Sequence, residues 1–301
     1  MNGKLNKGLI LVNAYSRRES SLNQSRRLKE EFGKSGIAID IKNNDYFAAS
    51  IDGNGNIKTD FDYDFCIYLD KDKYISQMLE RAGVRVFNSH FSIQACDDKM
   101  TTSVLLSNSG IPMPQTLAGL LCYDRDESLN GRALDEVERR LGYPLIVKTC
   151  YGSLGKGVYK ADNREQLNGI AEELKCKPHL FQKFIKSSCG RDIRVIVIGG
   201  KYVAAMVRQS DSDFRSNLSL GGSGKAIDVP EEVVEMCERA AAILKLDYCG
   251  IDVLFGEGKY YLCEVNSNAF FGGIESVTGV NIAKKYADYI IDKVYKNSAT
   301  E

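Results

Sequence analysis

The stretch 248–268, YCGIDVLFGEGKYYLCEVNSN, limits the possible folds of this chain more than any other. Gly256-Glu257-Gly258 is turn chemistry flanked by apolar and aromatic runs, which predicts a hairpin of 249–255 against 259–265. On that pairing Asp252 lies opposite Glu264 or nearly so, and Asn266 shares the Glu264 face because strand side chains alternate. Like charges facing each other across a hairpin destabilise it by up to about 1 kcal/mol when exposed. Two readings follow: a solvated face with its charges in water, or three oxygen ligands around a hard cation. Magnesium suits the second, with manganese as its substitute, because it takes a few carboxylate or amide oxygens and completes its shell with water and phosphate.

The 301 residues, 44% of them apolar, can bury a large core and are expected to divide into two or three domains. Lys plus Arg equal Asp plus Glu at 40 each, so no global field points to nucleic acid or an anionic membrane, and neither is expected as a partner. The apolar runs are far shorter than a membrane span, and MNGKLNKGLI lacks the core of a signal peptide; the expectation is a soluble, cytoplasmic protein. Nine cysteines form no CxxC pair, and His90 and His179 complete no zinc pattern, so the thiols read as reduced packing residues.

Taken in order, 9–12, 37–41, 65–69 and 84–87 read as strands, with helices at 22–34 and 74–81 between them. That is a small parallel α/β domain, and the missing G-x-G-x-x-G after its first strand argues against a dinucleotide site there. Asp97-Asp98-Lys99 opens a helix that runs to 107. The helix dipole disfavours Lys99 at that end, so Lys99 either reaches solvent or holds an anion such as phosphate. Pro112 and Pro114 mark an extended connector. A strand over 143–148 ends in Lys148, and the loop Gly152-Ser153-Leu154-Gly155-Lys156-Gly157 leads into a strand at 158–160. Such a loop is either a flexible turn or a lid whose N–H groups close over phosphate. Asp162 and Glu165 read as a capping box for the next helix. Strand 180–185 follows, then a hairpin of 191–198 and 201–208 across Gly199-Gly200 that projects Asp192, Arg194 and Arg208. The polar, glycine-rich 209–224 carries Arg215 and Asn217 and reads as a functional or a surface loop. Helices are expected at 230–244 and 282–295.

In that order, Lys99, Lys148, the 152–157 loop, Gln182-Lys183-Phe184-Ile185, Asp192-Ile193-Arg194, Phe214-Arg215-Ser216-Asn217, Gly250-Ile251-Asp252 and Glu264-Val265-Asn266-Ser267 resemble the ATP-grasp superfamily, and more narrowly the RimK-type carboxylate–amine ligases, a glutamate ligase-like group. The resemblance covers 88 to the C-terminus. It implies an α/β (α+β) ATP-grasp fold: an N-terminal parallel α/β domain (1–96), a glycine-loop lid domain (97–181) and a C-terminal antiparallel-sheet domain (182–301). It also implies that Lys99 and Lys148 hold the ATP phosphates beneath a lid carrying Gly152, Ser153, Gly155 and Gly157. Gln182, Lys183, Phe184 and Ile185 become the adenine-side hinge, Asp192 the ribose contact, and Arg215, Ser216 and Asn217 the lining of the nucleotide and acyl-phosphate region. Arg194, Arg208 and Arg215 are implied to face the reacting carboxylate, and Asp252, Glu264 and Asn266 to hold the metal. Lys183 stands where many relatives carry a glutamate, and Asn268-Ala269-Phe270-Phe271 replaces the usual small-residue and proline stretch.

The chemistry so implied is ADP-forming amide synthesis through an acyl phosphate, with an amino-acid amine and a small-molecule or peptide carboxylate as substrates. A D-alanine-type ligase and a nucleotide-binding protein without turnover are the alternatives, and a homo-oligomer is left open.

Overall fold

The structure, a computed structural model, describes residues 6–216 and 221–296. The first sheet is parallel and comes from four short apolar runs: β1 (Lys7–Val12), β2 (Ala38–Asn43), β5 (Phe65–Leu69) and β6 (Val86–Phe87), in the order β2-β1-β5-β6. Its crossovers include α1 (Glu19–Lys34) and α2 (Lys73–Arg81), and a small hairpin of β3 (Ser50–Ile51) and β4 (Ile57–Lys58) lies apart. Because β2 is added on one side of β1, and β5 and β6 on the other, the strand order reverses between β1 and β5. The carboxyl ends of these two strands therefore flank a crevice.

Two helices then follow where one was expected. Ser89 caps α3 (His90–Asp97), and Asp98 caps α4 (Lys99–Leu106) by accepting from the Met100 and Thr101 N–H groups at 2.9 and 3.1 Å. The second sheet is antiparallel, in the order β7-β10-β8-β9: β7 (Thr116–Ala118), β8 (Leu145–Thr149), β9 (Val158–Ala161) and β10 (His179–Lys183). Helices α5 (Gly131–Leu141) and α6 (Arg164–Leu174) cover it. The cap of α6 is Asn163 rather than Asp162, and the reciprocal bond runs from the Asp162 N–H to Gln166 Oε1 (2.8 Å); the expected box is displaced by one residue.

The third sheet is also antiparallel, in the order β13-β12-β11-β14-β15. Its strands are β11 (Arg191–Ile198), β12 (Lys201–Gln209), β13 (Ser223–Ala226), β14 (Tyr248–Phe255) and β15 (Tyr260–Asn266). β13 takes up the end of the segment expected to be loop. One face, with Ile193, Val195 and Ile251, packs on α7 (Glu231–Ile243) and on Cys96 and Leu106 of α3 and α4. Ile196, Ile198, Met206 and Tyr248 on the other face share a core with Ile10 and Phe65 of the N-terminal sheet and Phe32 of α1. Helices α8 (Gly272–Thr278) and α9 (Ile282–Ile291) complete that core through Ile274, Tyr286 and Ile290.

The cuts expected at 96/97 and 181/182 thus fall inside α3 and β10. Leu106 and Ile111 belong to the core of the third sheet, and Lys183 still pairs with Leu145 in the second. Among the described residues, no helix is long and apolar enough to cross a membrane.

Candidate active site

Along the second face of the third sheet, each strand changes character halfway. On β11, Ile196 and Ile198 enter the core, whereas Asp192 and Arg194, on the same side by alternation, do not. On β12 the apolar pair is Ala204 and Met206 and the polar residue is Arg208; on β14, Tyr248 is followed at period two by Gly250 and Asp252. Register then aligns the polar halves: Asp192 with Arg208, Arg194 with Asp252, and Asp252 with Glu264. The pairing of Asp252 with Glu264 is the one expected from the hairpin sequence. A Cβ on Gly250 would lie 2.5 Å from the Ala269 Cβ and 3.0 Å from Arg194 Nη1, so the missing side chain makes room for that guanidinium.

These charges form a ladder. Arg194 donates from Nε (2.5 Å) and Nη2 (3.1 Å) to Asp252. Arg208, only 4% exposed, reaches Asp252 through Nη2 at 2.9 Å and grips both Asp192 oxygens at 2.8 and 2.5 Å. Burial opposes ionisation of Asp252, but Arg194 and Arg208 outweigh it and its pKa is lowered. In Asp192 burial dominates over Arg208 and the pKa is raised. Burial works against the Arg208 cation too, yet Asp252 and Asp192 push its pKa upward. The repulsion between Asp252 and Glu264 expected from the sequence is therefore relieved inside the protein: the two arginines take Asp252, and Lys99 Nζ lies 3.8 Å from Glu264.

Both lysines point inward. Lys99 donates to the Gly152 carbonyl at 2.9 Å, which decides against the solvent reading. Lys148 is buried on β8, with Nζ 2.8 Å from Gln182 Oε1 and 3.5 Å from Cys263 Sγ; Gln182 is itself fixed by Thr116. The glycine loop is held at two points, by Lys99 on Gly152 and by Arg215, whose Nη1 donates to the Gly155 carbonyl at 2.7 Å while Asp213 anchors the rest of the guanidinium. Gly157 has φ +70°, and a Cβ there would meet Thr149 Oγ1 at 2.3 Å.

The charged ladder, both lysines, Arg215 and most of the glycine loop border one cavity of about 680 Å³. Of the residues expected to bind nucleotide, substrate or metal, Lys99, Lys148, Gly152, Ser153, Gly155, Gln182, Lys183, Phe184, Ile185, Asp192, Arg194, Arg208, Arg215, Ser216, Asp252, Glu264 and Asn266 line it. Gly157 does not; it closes the base of the hairpin by accepting from the Thr149 N–H at 2.9 Å. Asn217 lies outside the described residues. Sequence reasoning missed the wall supplied by Asn13, Ser16, Arg18, Ser21, Asp70 and Lys71. Their signal was positional, since they follow the two apolar strands at which the sheet order reverses. The oxygen donors suit magnesium or manganese: two carboxylates and an amide border a cavity large enough for phosphates. Among the described residues no three His, Cys, Asp or Glu side chains gather as a closed metal site would require.

A profile of the RimK-like ATP-grasp domain matches residues 96–290, more than half of the chain. Human N-acetylaspartylglutamate synthase A is 36% identical over 223 residues, 73% of this chain and 56% of that protein. A probable alpha-L-glutamate ligase of Maridesulfovibrio salexigens is 36% identical over 220 residues, 72% of this chain and 70% of that protein. The D-alanine–D-alanine ligase of Bacillus anthracis, solved with ATP, matches with a TM-score of 0.73 at 19% identity, covering 97% of this chain and 98% of that one; this is a likeness of fold. The family match and the arrangement of the sheets place the chain in the ATP-grasp class. Within that class, the chain belongs to the RimK-like ATP-grasp family. It spans little more than half the length of the synthases it matches, as the 56% for the human protein illustrates.

Proposed function

We propose that the protein is an ATP-dependent, ADP-forming ligase that joins an amino-acid amine, glutamate foremost, to a carboxylate on a small molecule or peptide. One observation carries this reading: the charged half of the third sheet, both lysines and the doubly held glycine loop border a single cavity.

A carboxylate condenses with an amine only after one of its oxygens becomes a leaving group. In the proposed reaction that oxygen takes the γ-phosphoryl group of ATP and ADP leaves. The amine then attacks the acyl carbon, expels phosphate, and loses a proton as the amide forms. Lys99 and Lys148 place two cations beside the transferring group, and Gln182 keeps the Lys148 ammonium directed. Asp252, Glu264 and Asn266 would hold magnesium or manganese, which neutralises phosphate charge when bound. Arg208, enclosed by Asp192 and Asp252, positions both carboxylates; Arg194, bound to Asp252 through Nε and Nη2, and Arg215, bound to Asp213 and Gly155, also line the cavity and would meet the substrate carboxylate with the N–H groups those contacts leave. Asp192 serves a ribose only by sharing an oxygen that Arg208 already occupies. The latched loop excludes water from the acyl phosphate. Neither histidine is needed.

The test is ADP release with magnesium, L-glutamate and a panel of carboxylates, with mass spectrometry of the product. The reading expects ADP and amide in equal amounts, only when both substrates are present. Amide without ATP consumption, or nucleotide binding with no product from any pair, would overturn it. D-alanyl-D-alanine formed from D-alanine alone would move the chain to the D-alanine-type alternative.

A further inference from the structure

The amide of Gln182 has nearly the same shape whichever way it turns, yet its two ends are opposite in chemistry: the oxygen accepts hydrogen bonds and the nitrogen only donates them. Turned one way, it holds the Lys148 ammonium. Turned the other way, it sets an NH2 group against a cation that has only donors to offer. Gln182 and Lys148 are both buried, so the wrong orientation would leave both without a partner.

The orientation is decided on the far side of β10. That strand lies between β7 and β8, and register puts Gln182 opposite Thr116 on one side and Ile146 on the other, with Lys148 two residues beyond Ile146 on the same face. Thr116 has a single hydroxyl proton, and the Pro114 carbonyl, which can only accept, takes it at 2.8 Å. The hydroxyl oxygen is thereby left as an acceptor, and Gln182 Nε2 donates to it at 2.9 Å. Oε1 is then the end that turns to Lys148 Nζ, 2.8 Å away. The relay has one direction: Lys148 donates to Gln182, Gln182 to Thr116, and Thr116 to a main-chain carbonyl.

The connector that carries Pro114 and Thr116 is itself fastened at both ends. The Leu262 N–H of β15 donates to the Pro112 carbonyl and the Lys183 N–H of β10 to the Gln115 carbonyl, each at 2.9 Å. Thr116 does not border the cavity, so whatever it does there it does through Gln182.

We propose that Thr116 is a positioning residue: by fixing the polarity of the Gln182 amide, it directs the Lys148 ammonium toward the phosphates of the nucleotide. The inference rests on the ligase reading and deepens it. Thr116, Gln182 and Lys148 all belong to the second sheet, so the relay keeps its direction whether or not Lys148 also touches Cys263 of β15.

The test is calorimetric titration of AMPPNP with magnesium into wild type, Thr116→Val and Thr116→Ser, and into Gln182→Glu with and without Thr116→Val. Valine keeps the shape of threonine and loses the hydroxyl, whereas serine keeps the hydroxyl. A glutamate at 182 offers Lys148 an oxygen whichever way it turns, which leaves Thr116 nothing to decide. The inference expects Thr116→Val to bind AMPPNP about tenfold more weakly than wild type and Thr116→Ser to stay within about twofold. In the Gln182→Glu background, it expects Thr116→Val to change the affinity by less than about twofold. If Gln182→Glu binds too weakly to titrate, the contrast between valine and serine decides alone. Wild-type affinity in Thr116→Val, an equal loss in Thr116→Ser, or a tenfold loss in both backgrounds would overturn the inference and leave the ligase reading standing. Failure of wild type to bind AMPPNP would remove the ligase reading, and this inference with it.

Discussion

The second and third sheets reach the same cavity but are built into the molecule in different ways. The third sheet shares one apolar core with α3, α4 and α7 and another with the N-terminal sheet, α8 and α9. The second sheet closes a core of its own with α5 and α6. Across the cavity it is tied to its surroundings by polar contacts: Lys99 and Arg215 on loop carbonyls, and Lys148 on Cys263. Apolar burial is non-directional and lost gradually, whereas single hydrogen bonds open and close. The third sheet is therefore a floor fixed by apolar burial that positions charge, and the second sheet with its loop is held across the cavity by separable polar contacts, which under the proposed function would let it open for nucleotide.

Removing a charge from the floor sharpens this contrast most. Arg208→Met leaves Asp192 buried with no cation on either oxygen, and the variant should lose about 3–5 kcal/mol of stability in urea unfolding. A loss below about 1 kcal/mol would mean that the ladder is not a structural element.

A smaller effect is expected where α1 meets α9. Hydrogen bonds from Asn281 and Lys34 outweigh burial and, with Arg27, hold the Glu31 pKa at about 2, below its ordinary 4.5. A lowered carboxylate pKa contributes stability that is present above the unfolded value and disappears as pH falls through the folded one. Glu31→Gln should therefore be less stable than wild type by about 1–2 kcal/mol near pH 7, and the gap should narrow from about pH 4.5 down to pH 2. A gap that is independent of pH would show that packing, not charge, is at work there.

The smallest change in stability, below about 0.5 kcal/mol, is expected for Arg215→Ala, because that pair is partly exposed. Its effect should appear in partitioning instead: with the Gly155 latch gone, phosphate release should outrun amide formation. Unchanged coupling of the two products would show that the latch does not guard the cavity.

What could be read in the sequence was local. Strand alternation placed Asp252, Glu264 and Asn266 on one face, and strand-loop-strand punctuation located Lys148 and the glycine loop. The partners that neutralise Asp252 were hidden because they depend on the β11–β14 register, which joins segments 58 residues apart. The wall around Arg18 and Ser21 was hidden for the same reason, since the Gln24 contact to Ala269 spans 245 residues. Helix α5 was legible but overlooked, since Leu134, Val137 and Leu141 recur at helical spacing behind the Asn130 cap, whereas α8 lies in short glycine-rich sequence that tertiary burial of Ile274 holds as helix. The proposed boundary at 96/97 could not show, from local sequence, that Leu106 of α4 shares a core assembled mainly from later strands.

Under the proposed function this cavity binds nucleotide together with a metal on Asp252, Glu264 and Asn266. The most direct test is calorimetric titration with AMPPNP, with and without magnesium, on wild type and on Glu264→Ala. Magnesium is expected to tighten binding to wild type by at least about tenfold, and Glu264→Ala to lose this gain. No binding, or binding equally tight without metal in both proteins, would contradict it and leave Glu264 an ordinary solvated carboxylate.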